Sequence, residues 1–339
     1  MKITIGDVAE RANVSKTTVS RILNGNYAHT TEETRMRVLK AIKELDYRPN
    51  ALAKGLKSMR TNVIGIMLSN LKNPFWTTVL EGVEDTCHEL GYNLMICNTN
   101  ENPEAEEEYI KELQMRQVDG IVVNPTVKNQ ELYKKLVDSK YPLVVINRRI
   151  PNLETNNVIM NNIKGAYSAV EHLLHNGRKK VAVVVYATDY VSTWKERLEG
   201  YCLAMLRHGF SKEEFRILEL EQETDSQEES IIHFLQTYPD TDAIFSTNNM
   251  ITLHVLGALR SLTLHIPNDV ALISYDETIW AQHLEPPLTT VRQPGYHMGK
   301  MAAQILIQTM SKEGSESKAP PATIVLEPEL IIRKSCGAK

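Results

Sequence analysis

Over the first 48 residues apolar side chains recur at helical spacing, and beyond residue 62 they gather into short runs separated by amphipathic stretches. In the first part, Val8, Ala9, Ala12, Val14, Val19 and Ile22 mark two helices joined by the short link Ala12-Asn13-Val14. Neither is long enough to persist alone. A third helix at about 32–45 (EETRMRVLKAIKEL) closes a three-helix core, which is helix-turn-helix geometry. Asp7 precedes the first helix core, and Ser15 stands where an N-cap is wanted.

The later runs are β-branched. VIGIM (63–67), NLMIC (93–97), GIVV (120–123) and LVVI (143–146) read as strands, with helices at about 74–90, 104–116 and 130–139. A second series opens with NVIM at Asn157. It continues through VAVVV (181–185), FRILEL (215–220), AIFS (243–246) and VALIS (270–274). Helices fall between these at about 163–176, 194–209, 227–238 and 249–261. Such alternation predicts parallel, doubly wound sheets with crossover helices, and two series predict two similar lobes. The expected fold is an all-α three-helix head on an α/β two-lobed body.

Charge sharpens this division. Up to Arg60 there are 12 Lys and Arg against 6 Asp and Glu, while the remainder carries 26 against 36. A basic head on an acidic body implies that only the head meets a polyanion. On the second helix Lys16, Thr17 and Arg21 project away from Val19 and Ile22. Arg can pair with guanine and Thr can touch a thymine methyl. Ser15, Thr18, Ser20 and Asn24 are short donors suited to phosphate. In the body, polar pairs end the strands: Asn73 ahead of Pro74-Phe75-Trp76, Asn147-Arg148, Asn161-Asn162 and Asp276-Glu277. Open α/β sheets bind ligands at those ends.

The remaining signals are negative. Cys87, Cys97, Cys202 and Cys336 form no framework, as for free thiols in a reducing cytoplasm. There is no signal-like h-region, no membrane-length apolar window, and no GxG, GxSxG, HExxH or Walker run, so neither an enzyme nor a cofactor is expected. His172 and His175 stand three apart without a third ligand in sequence and read as a surface pair, not a metal site. Glu104–Glu108 reads as a solvated helix start.

The run DVAERANVSKTTVSRILNG, followed by ETRMRVLKAIKELDYRPNALAKGLK, closely resembles the Lac repressor/Gal repressor family. The likeness continues in the body through NPFW, INRR, NNIKGAYSAVEHLLHNGRKKVAVV, RLEGY, IPNDVALISYDE and PPLTTVRQP. It implies a DNA-binding domain over 1–48 and a hinge over 49–60, folded only when paired on DNA. A periplasmic-binding-protein-like effector domain over 61–334 follows. By this resemblance one lobe spans about 61–160 and 291–322, the other about 161–290 and 323–334. It implies base contacts from Lys16, Thr17 and Arg21 and hinge contacts from Asn50, Ala53, Leu56 and Lys57, with Leu56 wedged into the minor groove. Gly55 departs from the family pattern and should weaken an isolated hinge helix.

The effector residues implied are Asn73, Phe75, Arg148, Asn161, Arg197, Asn249, Asp276 and Trp280, with Gln293 near the crossover. The partners expected are a pseudo-palindromic operator, a second copy of the chain as a homodimer, and a small carbohydrate-type effector. Where the family often has Asp, this chain has Asn147, Asn161 and Asn249, yet it keeps Arg148 and Arg197. That substitution favours a sugar acid as effector, ahead of a neutral sugar or sugar phosphate.

Overall fold

The computed structural model describes residues 3–28, 30–47, 60–126, 128–187, 191–221, 226–311 and 320–338. The hinge positions Asn50, Ala53, Leu56 and Lys57 lie outside the described residues. The chain divides into two compact units, Met1–Thr61 and Asn62–Lys339.

The first unit holds α1 (Ile5–Arg11), α2 (Lys16–Leu23) and α3 (Glu32–Glu44) around Val8, Ala9, Ala12, Val19, Ile22, Val38 and Ala41. Asn13, at φ 52°, makes the tight link between α1 and α2. Asp7 does not precede α1, as the sequence suggested. Thr4 is the N-cap, and Asp7 is the third helical residue of a capping box. Hydrogen bonds from the Thr4 backbone N–H (2.6 Å) and hydroxyl (2.8 Å) hold the Asp7 carboxyl below its usual range. Ser15 caps α2 as expected, its hydroxyl accepting from Thr18 N–H at 3.1 Å. Thr4→Ala should cost the head about 1 kcal/mol. Amide exchange in the full-length protein should speed up in α1 and α2 and stay unchanged in the body; unchanged protection of the head would refute this.

The second unit contains two six-stranded sheets. The first has the order β11-β5-β4-β3-β1-β2, where β1 is Val63–Leu68, β2 Asn93–Asn98, β3 Gly120–Val123, β4 Leu143–Asn147, β5 Asn156–Met160 and β11 Thr323–Leu326. Every pair in it is parallel. The second has the order β12-β10-β9-β8-β6-β7, where β6 is Val181–Tyr186, β7 Arg216–Leu220, β8 Ala243–Ser246, β9 Ala271–Tyr275, β10 Thr289–Arg292 and β12 Glu329–Ile331. Here β12 runs antiparallel to β10. The uninterrupted apolar runs of the central strands follow from burial on both sheet faces.

Two sequence expectations change. NVIM does not open the second sheet but pairs with β4 in the first. TIVLEPELIIRKS is not one strand returning to the second lobe. Its TIVL half pairs with β5 in the first sheet, and only Glu329–Ile331 joins the second. The chain therefore crosses between lobes at Asn161, at Gln293-Pro294 and at Glu327-Pro328, not at the boundaries 290/291 and 322/323.

On the first sheet α4 (Pro74–Glu89) packs against α11 (Gly295–Ser311), meeting at Gly82 and Gly299. A Cβ at Gly82 would collide with the Tyr296 carbonyl oxygen, and one at Gly299 with that of Val79. The helices approach so closely that their backbones touch. In the second lobe α7 (Asn162–His175) packs on α8 (Ser192–Arg207). In α5 (Pro103–Met115) Glu104, Glu107 and Glu108 are exposed, but Glu106 is fully buried, so the solvated reading of that acidic stretch fails at one position.

Candidate functional site

On the head, Lys16, Thr17 and Arg21 are exposed on α2, as the alternation with Val19 and Ile22 requires. Two other head cations are tied down. Arg11 pairs with Glu44 at 2.8 Å, and Arg35 with Glu32 at 3.4 Å while stacking on Tyr27. Arg21 makes no ion pair among the described residues. The short donors are partly committed within the helix. The Ser15 and Thr18 hydroxyls lie 2.9 Å apart, and Asn24 Nδ2 donates to the Ser20 carbonyl at 2.8 Å.

In the body, a polar cleft lies between the lobes at the carboxyl ends of the strands, about 540 Å³ including its open mouth. Asn73, Phe75, Arg148, Arg197 and Asp276, named from the sequence, line it, and so does Gln293, which was expected only near the crossover. Asn73 is the N-cap of α4, its Oδ1 accepting from Phe75 N–H at 2.9 Å. Asn147, the last residue of β4, and Asp276, the residue after β9, stand at corresponding strand ends in the two lobes and sit at φ 63° and 79°. Asn and Asp tolerate that left-handed backbone better than bulkier residues.

Three expected residues play other parts. Asn161 does not line the cleft. It caps α7 through Lys164 N–H (3.2 Å) and donates to Glu327 (3.2 Å), bracing the crossovers. Trp280 packs against the apolar core of the second lobe. Asn249 is buried behind Asn248 and Met250, the first residues of the segment that reach the cleft.

Sequence reasoning missed Glu101, Thr193, Tyr186 and Trp194, which also line the cleft. Glu101 follows β2, a strand end like the others, and that was the available signal. Its carboxylate takes both Arg148 Nη1 and Nη2 at 2.6 Å. The pair is sequestered, the Arg148 side chain being 4% exposed and Glu101 19%. Arg197 is held from its own lobe. Its Nη1 donates to the Thr247 carbonyl (2.6 Å), its Nε to Asn162 Oδ1 (3.1 Å), and its guanidinium stacks 3.7 Å from the Tyr275 ring centroid. The cleft thus contains two cations and two carboxylates, Glu101 and Asp276.

A hydrogen-bonded chain spans the lobes. Gln293 Nε2 donates to Asp276 Oδ1, Asn73 Nδ2 to Asp276 Oδ2 at 3.4 Å, and Asn249 Nδ2 to Asn73 Oδ1 at 3.0 Å. Those partners fix how each amide is turned. Asn249 Oδ1 and Gln293 Oε1 are left as buried acceptors without a donor, as is Asn147 Oδ1.

Comparison with known proteins agrees with both units. Residues 4–50 match the family described as bacterial regulatory proteins, lacI family. Residues 61–326 match the periplasmic binding proteins and sugar binding domain of LacI family. The HTH-type transcriptional regulator RegA of Clostridium saccharobutylicum is 34% identical, covering 99% of this chain and 99% of its own. Among solved structures, a transcriptional regulator CelR–cellobiose complex has 30% identity and a TM-score of 0.72, covering 98% of this chain and 99% of that one. The Lac repressor dimer bound to operator and the anti-inducer ONPF has a TM-score of 0.87 with full coverage of both chains. At 24% identity the latter speaks to fold alone.

Proposed function

Because this chain belongs to the LacI family of bacterial regulatory proteins, we propose that it represses carbohydrate-utilisation genes and releases its operator when a small polyhydroxy effector fills the cleft. It is a DNA-binding transcription regulator. Lys16, Thr17 and Arg21 read base edges, while Asn50, Ala53, Leu56 and Lys57 form the hinge that grips the minor groove of a two-fold site. Two copies of the chain present one head to each half-site.

The observation that carries the effector reading is the pair of buried acceptors on residues that line the cleft, Asn147 Oδ1 and Gln293 Oε1. A buried acceptor without a donor costs roughly 1–3 kcal/mol, so a ligand that donates is favoured. Sugar hydroxyls donate, those of sugar acids and sugar phosphates included, so the acceptors point to a polyhydroxy ligand and the preference in charge rests on Arg148 and Glu101. Phe75 and Trp194 line the cleft beside these groups. The sugar-acid expectation needs Arg148 and Arg197 both open to an anion, and Glu101 already occupies both terminal nitrogens of Arg148, leaving only its Nε without a partner among the described residues. A neutral saccharide therefore takes precedence over an acid. Cellobiose is the sugar in the related CelR complex, and the same chemical class suits this cleft.

Release follows if the effector prefers one spacing of the lobes. Asn73 already joins Asp276 and Asn249 across the cleft. A ligand that replaces or extends those bonds biases lobe closure, and it shifts the equilibrium only by its differential affinity for the two states. Calorimetry on the full-length protein with neutral mono- and disaccharides and their aldonic acids tests this. A neutral sugar should bind and release operator in a gel shift. Tight binding confined to the acids would overturn the reading. Glu101→Gln frees Arg148 and should raise affinity for the acids about tenfold, the scale of one hydrogen bond to a charged group. Unchanged acid affinity would mean Arg148 does not face the ligand.

A further inference from the structure

Glu171, His175 and His208 form a cluster used by neither the DNA face nor the cleft. Glu171 and His175 lie one turn apart on α7, and His208 caps the end of α8. The two imidazoles meet edge to face with centroids 5.2 Å apart. One ligand atom from each of the three residues lies within 4.8 Å of the others. In sequence His175 had only His172 for company; the fold turns His172 towards Cys336 Sγ, 3.3 Å away, and brings His208 to His175 instead.

The donor chemistry is set in advance. His208 Nδ1 lies 2.9 Å from the Ala204 carbonyl oxygen, which can only accept. Nδ1 therefore carries the proton, and Nε2 presents its lone pair, the arrangement that orients metal-binding histidines. Glu171 Oε1 accepts from Tyr167 O–H at 2.8 Å, which steadies the carboxylate. Both α7 and α8 end here, and the carbonyl ends of two helices favour a cation. Arg207, whose guanidinium is 5.7 Å from the Tyr167 ring centroid, is the neighbouring opposing charge.

We propose that Glu171, His175 and His208 bind a divalent first-row transition metal ion of the zinc class, water completing the coordination, as a clamp between the ends of α7 and α8. Two imidazoles and one carboxylate suit zinc, copper or nickel rather than calcium or magnesium. Zinc–ligand bonds of about 2.0–2.1 Å require donors roughly 3.4 Å apart, so the side chains must close in by about 1.5 Å or less. His175 is exposed and can turn to do so. The site lies at the opposite end of α8 from Thr193, roughly 22 Å along the helix, so it can be assayed apart from the cleft.

The test uses full-length protein stripped with a chelator, with zinc titrated in competition with a chromophoric chelator. One saturable equivalent is expected, and the thermal midpoint should rise with zinc but not with calcium or magnesium. His208→Ala and Glu171→Gln should each weaken that equivalent by about tenfold or more. His265→Ala should leave it intact, and midpoints measured in chelator report whether each variant is folded. Zinc affinity unaltered in both His208→Ala and Glu171→Gln, or equal competition by calcium, would overturn the site.

Discussion

Glu106→Ala is expected to destabilise the body by about 2–4 kcal/mol, because each buried donor left without an acceptor costs roughly 1–3 kcal/mol. Glu106 is fully buried. Its carboxyl accepts from Thr126 N–H and Asn129 Nδ2, each at 2.7 Å, and from the Thr126 and Tyr133 hydroxyls. Alanine removes an acceptor from all four donors; among the described residues only Asn129 Nδ2 keeps another, the Pro103 carbonyl at 2.7 Å. It also opens a cavity between α5 and the segment that follows β3. Relief of the carboxylate's own burial offsets only part of this loss. Denaturant unfolding of the full-length protein measures it, and a loss under 1 kcal/mol would show that the network contributes little.

The same residue gives a pH signature. Burial raises the Glu106 carboxyl above its usual value of 4.5, opposed in part by the hydrogen bonds it accepts. The folded state then holds the proton more tightly than the unfolded state does. The stabilisation from this linkage is complete below the unfolded value and is lost as pH rises through the elevated folded value. Glu106→Gln cannot titrate, so its deficit relative to the parent protein should shrink over that rise. A deficit that grows instead would mean the carboxylate form is the favoured one.

Arg21→Ala should weaken operator binding by roughly 1–3 kcal/mol and relax the preference at one base pair in each half-site. The motive is its exposed position on α2 without an ion pair among the described residues, while Arg11 and Arg35 are paired. Losing a base contact costs affinity for operator more than for random DNA, whereas losing a phosphate contact costs both alike. Titrations on the two DNAs at one salt concentration separate these outcomes. Equal losses would assign Arg21 to the backbone.

What the sequence determined by itself is local. The helix-turn-helix follows from apolar spacing within a few turns and from the Ser15 cap, because helix formation is decided by residues three and four apart. The central strands are legible because burial on both faces demands unbroken apolar runs, and a polar residue ending such a run is visible at once, as at Asn147 and Asp276. What only the tertiary structure decided is partnership between distant residues. TIVL could serve either sheet by composition, and pairing with β5 settled the matter. Glu106 is the same residue type as its exposed neighbours, and only the chain packed over it, with Thr126 and Tyr133, makes it internal. Glu101 meets Arg148, and His208 meets His175, across sequence separations over which no periodic pattern runs. Such pairs change the charge of a cleft or create a ligand set because Coulomb forces and coordination act through space, not along the chain.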